Sequence, residues 1–157
     1  MKRFLFFAAA GLPALLAGQD APATEMEASA RYRVVFERSW SASTHPQDFP
    51  RLAHFSPVIG ATHDERYSLF SEGGTATPGV ERLCEEGKHQ PLDEEIRTAR
   101  KQGLVGSLIE TSEPIRSVPG QAVAEFDVDA KHPMVTLAAM IAPSPDWCAV
   151  AARVSLV

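Results

Sequence analysis

The chain has 157 residues, of which 45% are hydrophobic and 22% are charged, and its formal net charge at pH 7 is −5. This balance is that of an ordinary soluble globular protein. Because phosphate binding needs a concentrated basic face, which this acidic chain lacks, we do not expect nucleic acid as a partner.

The N-terminus has the pattern of a secretory signal peptide. Met1, Lys2 and Arg3 precede an uninterrupted run of apolar and small residues over positions 4–18, the order of charged and hydrophobic segments in such signals. That run is shorter than the roughly 20 apolar residues of a spanning helix. We therefore expect a signal peptide over residues 1–18, no membrane span after its cleavage, and a secreted or periplasmic location. A flexible leader over residues 19–29 and one folded domain over residues 30–157 are expected to follow.

The domain is predicted to begin with a strand at residues 31–39. Tyr32, Val34 and Phe36 alternate there with charged residues, which is the period of a half-buried strand. The next stretch, residues 41–64, contains three closely spaced prolines. Proline is excluded from helix interiors and central strands, so this stretch is predicted to be mostly loop with short extended pieces.

Two short helices are predicted next. The first covers residues 77–87, where Thr77 provides an N-cap, a proline follows it, and Gly87 stands where the helix ends. The second covers residues 92–102, with acidic residues in its first turn, basic residues later, and Gly103 after its end. Both helices are polar enough to lie on the surface.

Strand patterns return after the helices, at residues 104–109, 122–128, 133–141 and 147–157. The third of these is nearly all apolar and is predicted to be fully buried. Several short strands with two small helical inserts favour an all-β antiparallel β-sandwich over a βαβ fold. The side chains expected to be buried in it are Tyr32, Val34, Phe36, Met134, Leu137 and Trp147.

The only two cysteines, Cys84 and Cys148, allow two interpretations. In an oxidising compartment they can pair, closing a long loop that would stabilise the fold by roughly 4 kcal/mol in the chain-entropy model. Alternatively they are two separate buried thiols, since free cysteine is among the most buried residue types. The sequence leaves both alternatives open.

Three evenly spaced histidines, His45, His54 and His63, lie in the proline-rich stretch. Neutral imidazoles of this kind can bind zinc or copper. The short ligand spacings of metal sites are absent, however, so we favour a structural role. In that case each ring is expected to have a hydrogen-bond partner within the protein, and the three rings are not expected to converge on one point.

Several short sequence words identify a resemblance to a known family. Taken in order, from about Tyr32 to Leu156, the sequence resembles the spondin domain of the F-spondin and mindin type, which occurs in extracellular matrix proteins and in exported bacterial proteins. The resemblance implies a C2-like antiparallel β-sandwich, a bound calcium ion, and adhesion or ligand binding without catalysis. The words that carry it are Trp40-Ser41, Thr44-His45-Pro46, Phe49-Pro50, His54-Phe55-Ser56-Pro57, Thr62-His63 and Ala142-Pro143-Ser144-Pro145-Asp146-Trp147.

The same resemblance implies one metal ligand in this chain, Asp146. A carboxylate in a proline-rich loop suits calcium, which takes hard oxygen ligands. The family's further acidic ligands follow the strand that begins here at Trp147, and the domain is expected to be incomplete in that part. We therefore expect weak calcium binding. Asp127 and Asp129 are the nearest acidic residues in the matching region, but strand alternation places both on one face, where they are interpreted as surface charges.

Three functions follow as hypotheses. The first is an exported, non-catalytic binding or adhesion module whose partner is an extracellular or periplasmic macromolecule or matrix component. The second is a periplasmic hydrolase-type enzyme, in which His54 or His63 acts as the general base together with Asp64, or Ser56 acts as the nucleophile. No known catalytic motif supports it. The third is a structural remnant that needs oligomerisation, because an unpaired strand edge invites partner strands.

Overall fold

The computed structural model describes residues 29–143 and 146–156. The predicted signal peptide at 1–18 and residues 19–28 of the predicted leader lie outside this part of the chain, while the last leader residue, Ser29, already belongs to the first strand. No helix in the described part is long and apolar enough to cross a membrane.

The described residues form seven strands and two helices. In chain order they are β1 (Ser29–Arg38), β2 (His54–Phe55), β3 (Ile59–His63), α1 (Pro78–Glu86), α2 (Leu92–Lys101), β4 (Val105–Glu110), β5 (Gly120–Asp129), β6 (Met134–Ala142) and β7 (Cys148–Ser155). Strands β1 and β5 form one antiparallel sheet, with Tyr32 opposite Phe126. The second sheet has the order β2-β6-β3-β4, and β7 pairs with β6; all its pairs are antiparallel. The predicted all-β antiparallel sandwich with short helical inserts is confirmed.

The first hydrophobic core lies between the two sheets. Alternate residues of β6, such as Leu137 and Ala139, point into it and meet Phe126 of β5. Tyr32, Val34 and Phe36 pack against the same core but are only half-buried. The predicted inward face of β1 is therefore confirmed, although its side chains are less buried than expected.

The second core lies on the opposite face of the larger sheet, which α1 and α2 cover. Leu83 of α1 and Leu92 and Ile96 of α2 are almost inaccessible to solvent and pack against Ile59 and Ala138. Fully burying one such aliphatic side chain contributes about 1.5–3 kcal/mol. The helices are therefore amphipathic covers of the sheet, and β6 is apolar along its length because both of its faces are buried.

The predicted ends of α1 are confirmed by their hydrogen bonds. The hydroxyl of Thr77 accepts from the amide of Val80, 3.3 Å away. Gly87 adopts a left-handed conformation, with φ of 67°, and its amide donates to the carbonyl of Leu83. These local caps satisfy backbone groups that the ends of any helix leave unpaired.

Residues 59–63, Trp147 and Met134 differ from the expectations. Residues 59–63 form a central strand, β3, between β4 and β6, although the proline-rich stretch was expected to contain no central strand. All its residues are buried, and the strand is possible because Pro57 precedes it rather than interrupting it.

Trp147 is 66% exposed rather than buried, because it precedes the first residue of β7 and lies in the connection from β6 outside both cores. Met134 is half-buried, whereas Leu137 is buried as expected.

Candidate functional site

Asp146 lies in the connection between β6 and β7, exposed to solvent and with a positive φ of 64°. Its side chain lies beside the carboxyl group of Glu85, near the C-terminal end of α1. Local desolvation, followed by the charges of Glu81 and Asp146, raises the pKa of the Glu85 carboxyl. The structure therefore gives Asp146 an acidic neighbour that is far away in sequence.

A disulfide bond holds these two carboxyl groups near each other. Cys84 of α1, the residue before Glu85, is bonded to Cys148 of β7, two residues after Asp146, and their Cα atoms are 5.3 Å apart. The structure confirms the first of the two interpretations of the cysteines, a disulfide bond between them. The bond joins helix α1 to an edge strand and so determines where the loop with Asp146 lies relative to Glu85.

The acidic group adjoins a cavity of about 350 Å³. The segment after Leu69, helix α1 and strands β6 and β7 surround it, and both cysteines contribute to its wall. Its lining residues are Leu69, Phe70, Ser71, Gly74, Thr75, Ala76, Val80, Glu81, Leu83, Cys84, Glu85, Ala138, Asp146, Cys148 and Val150. Apolar side chains thus form much of the wall, and all its charged side chains are acidic.

The donor chemistry around Asp146 suits calcium only in part. Carboxylate oxygens are the hard ligands that calcium takes, but it normally takes six to eight oxygens. Within residues 29–143 and 146–156, no three His, Cys, Asp or Glu side chains lie close enough together to hold a metal ion. Glu85 and Asp146 can supply two carboxylates, so an ion bound there would keep much of its water shell.

Asp127 and Asp129 do not contribute to this site. Asp127 makes a 3.5 Å ion pair with Arg31 across the β1–β5 sheet. Asp129 accepts from the backbone amides of Lys131 and His132 and from the His132 ring, each at 2.9 Å. The interactions of both carboxylates therefore lie within the β1–β5 sheet and the turn that follows β5. The residue that sequence reasoning missed is Glu85, whose only signal was the possibility that its neighbour Cys84 bonds to Cys148.

The histidines have structural partners, as predicted. Nδ1 of His45 lies 2.9 Å from the Thr44 hydroxyl, and Nδ1 of His54 lies 2.8 Å from the Leu52 carbonyl oxygen. His63 is completely buried and contacts the Asp64 carbonyl through Nδ1 and the Thr136 hydroxyl through Nε2. Each ring thus has a hydrogen-bond partner within the protein, and His63 has one at both ring nitrogens.

The side chains named for a hydrolase do not form a catalytic arrangement. Ser56 is buried, and its hydroxyl donates to the Pro57 carbonyl and accepts from the Met140 amide. The Asp64 carboxylate binds Arg66, which lowers the pKa of Asp64, and His63 contacts the backbone carbonyl of Asp64 rather than its carboxylate. A nucleophile and its base must lie within hydrogen-bond reach, and these groups have other partners.

The sequence of this chain is similar to those of known proteins. A family model described as Spondin_N matches residues 30–157. Spondin-1 of Gallus gallus and Spondin-1 of Homo sapiens are each 36% identical over 126 residues, covering 76% of this chain and 15% of those proteins. Spondin-2 of Homo sapiens is 30% identical over 123 residues, covering 76% of this chain and 37% of that protein. The chain thus spans well under half the length of the curated relatives it matches.

Proposed function

Because the chain belongs to the Spondin_N family, we propose that it is an exported, non-catalytic module that binds an extracellular or periplasmic macromolecule. The observation that carries this proposal is the family match over residues 30–157, nearly all of the described domain. A rigid sandwich that presents loops at one end is a common scaffold for binding. The side chains of the hydrolase hypothesis are already committed to structural partners, which also favours binding over catalysis.

The acidic surface formed by Glu81, Glu85 and Asp146 is the proposed contact region. All three side chains are exposed, and complementary charge increases association rates and selects against like-charged partners. We therefore expect a basic partner surface, such as a cationic matrix protein.

Surface plasmon resonance on the immobilised mature domain tests this function. The analytes are a panel of purified matrix macromolecules that includes basic and acidic members. We expect saturable binding of a basic member that weakens with salt and with Glu81→Lys, while the matched variant Asp127→Lys on the other sheet has little effect. If no member binds, or if both variants weaken binding equally, the proposed contact region is wrong.

We further propose that Asp146 binds calcium weakly, with Glu85 as its partner. The implied ion would neutralise the mutual repulsion of these carboxylates and stiffen the connection before β7. With two protein carboxylates, we expect a dissociation constant in or above the millimolar range. Calorimetric titration should detect calcium binding to the wild type and little to Asp146→Asn or Glu85→Gln, whereas Asp127→Asn should behave as wild type. Unchanged binding in Asp146→Asn would place the ion elsewhere.

A self-associating structural role is a second candidate, supported by strand β7. In the described part of the chain this strand pairs only with β6. Val150 and Val154 on it are 40% and 45% exposed, and an apolar strand edge can accept another strand. Light scattering over a concentration series should reveal a dimer that Val154→Lys disrupts; a monomer at all concentrations would reject this candidate.

A further inference from the structure

The cavity beside the disulfide has the dimensions and the wall of a small-molecule site. Its volume of about 350 Å³ falls within the usual range of ligand pockets, roughly 300–1,000 Å³. Its apolar wall comes from two regions that are far apart in sequence, the segment from Leu69 through α1 and the strands β6 and β7, and the disulfide joins these regions at one side. The apolar side chains that form it are Leu69, Phe70, Val80, Leu83, Ala138 and Val150.

Two of these side chains, Phe70 and Val150, are 38% and 40% exposed. Large apolar side chains that remain partly exposed in a concave wall are favourable surfaces for an apolar ligand, because covering them removes apolar area from water.

The charged side chains that line the cavity are all negative. Among the described residues, the charged side chains that line it are Glu81, Glu85 and Asp146, and no described lysine, arginine or histidine lines it. In the described ranges none of the three acids forms an ion pair with a basic side chain; nearby Arg82 pairs instead with Glu86.

We propose that this cavity binds a small organic cation with an apolar body, such as an aromatic or alkyl amine. The apolar body packs against Phe70 and Val150, and the charged nitrogen binds between the carboxylates of Glu85 and Asp146. An anion of the same shape would be repelled, and a neutral analogue would gain only the apolar contacts. This function goes beyond macromolecule binding and requires neither calcium nor a protein partner.

Three probes with one phenyl-alkyl skeleton separate charge from apolar contact: 4-phenylbutylamine, 4-phenylbutan-1-ol and 4-phenylbutyrate. Each is titrated into the oxidised mature protein in EDTA-containing buffer and followed by amide chemical shifts. We expect the amine to bind about twofold to fivefold more tightly than the alcohol, as for a partly exposed charge pair, and the butyrate to bind least. The amine's advantage should shrink as salt is added. Equal affinity for amine and alcohol, or no amine binding at millimolar concentration, would overturn the proposal.

Variants locate the site. Glu85→Gln and Asp146→Asn should reduce the amine's advantage over the alcohol but leave the alcohol affinity unchanged. Val150→Trp, a larger side chain at a partly exposed position of the wall, should fill the cavity and weaken both ligands. Asp127→Asn, on the other sheet, is the matched control and should change neither. An amine advantage that persists in the Glu85→Gln/Asp146→Asn double variant would refute the site, whatever the outcome of the calcium and macromolecule experiments.

Discussion

Cys84 and Cys148 form a disulfide that joins the end of helix α1 to the start of strand β7. One residue beyond the first cysteine is Glu85, and two residues before the second is Asp146, so the covalent bond and the acidic pair belong to the same contact. Strand β7 otherwise depends on its pairing with β6 and on a few anchors such as Arg153, which donates to the carbonyls of Glu65 and Tyr67. The disulfide thus stabilises both an edge strand and the candidate site.

Replacing both cysteines by alanine should lower the free energy of unfolding by about 2–5 kcal/mol, since the bond spans 64 residues of chain and constrains the unfolded state. Urea unfolding of the wild type with and without reductant measures the effect. Reductant should not affect the double variant, which controls for reagent effects. Equal stability of reduced and oxidised wild type would mean that the bond contributes nothing to stability.

Ile96→Ala should destabilise the domain by about 2–5 kcal/mol, because this completely buried side chain connects α2 to the larger sheet. Leu52→Ala is the matched control, since Leu52 is 77% exposed, and it should change stability by less than about 0.5 kcal/mol. Chemical denaturation of both variants checks the expectation. Similar losses in the two would argue against the second core.

Gly60→Ala should destabilise the sandwich by about 3 kcal/mol or more, because it forces β3 away from β6. A Cβ at this position would lie 2.0 Å from the Thr136 carbonyl oxygen. Gly73→Ala is a useful comparison: its φ of +73° disfavours alanine, but nothing lies within 4 Å of the added Cβ. Its cost should be only about 1 kcal/mol. Thermal unfolding that ranks Gly73→Ala as the more damaging change would contradict the close packing of β3.

Asp129→Asn should destabilise the protein at neutral pH by about 1–3 kcal/mol through weakened charge-assisted hydrogen bonds. Desolvation raises the Asp129 pKa, but hydrogen bonds from His132 outweigh it, so the pKa lies below its ordinary value of 3.8. A lowered pKa contributes stability that is complete above pH 4 or so and is lost as the pH falls through the folded-state value. The difference between variant and wild type should therefore shrink in acid, and a difference that is constant with pH would rule out the ionised carboxylate as its source.

Glu85→Gln should have the opposite pH dependence. Since the folded state raises the pKa of Glu85 above 4.5, its contribution to stability is complete below that pH and is lost as the pH rises through the folded-state value. The melting temperature of the variant minus that of the wild type should therefore be larger at pH 7 than at pH 3.5. Glu81→Gln should have a smaller effect of the same sign, because Glu81 is only one of the charges acting on Glu85. If the melting temperatures of Glu85→Gln and the wild type depend on pH in the same way, ionisation of Glu85 does not destabilise the fold.

Local features of this protein were predictable from its sequence because their causes act over a few residues. Thr77 and Gly87 begin and end α1 through hydrogen bonds within one helical turn, and the alternation in β1 depends only on the period of a strand. The sequence words around the histidines and the Asp146 loop also determined the family, and with it the sandwich, before any contact was known.

Only the tertiary structure decided the relationships between distant segments. The central position of β3 depends on pairing with β4 and β6, and the exposure of Trp147 depends on where both cores end. Glu85 has no sequence pattern that marks it as a partner of Asp146. Their contact arises because α1 packs over the sheet and Cys84 bonds to Cys148, and such long-range packing leaves no periodicity in the sequence near either residue.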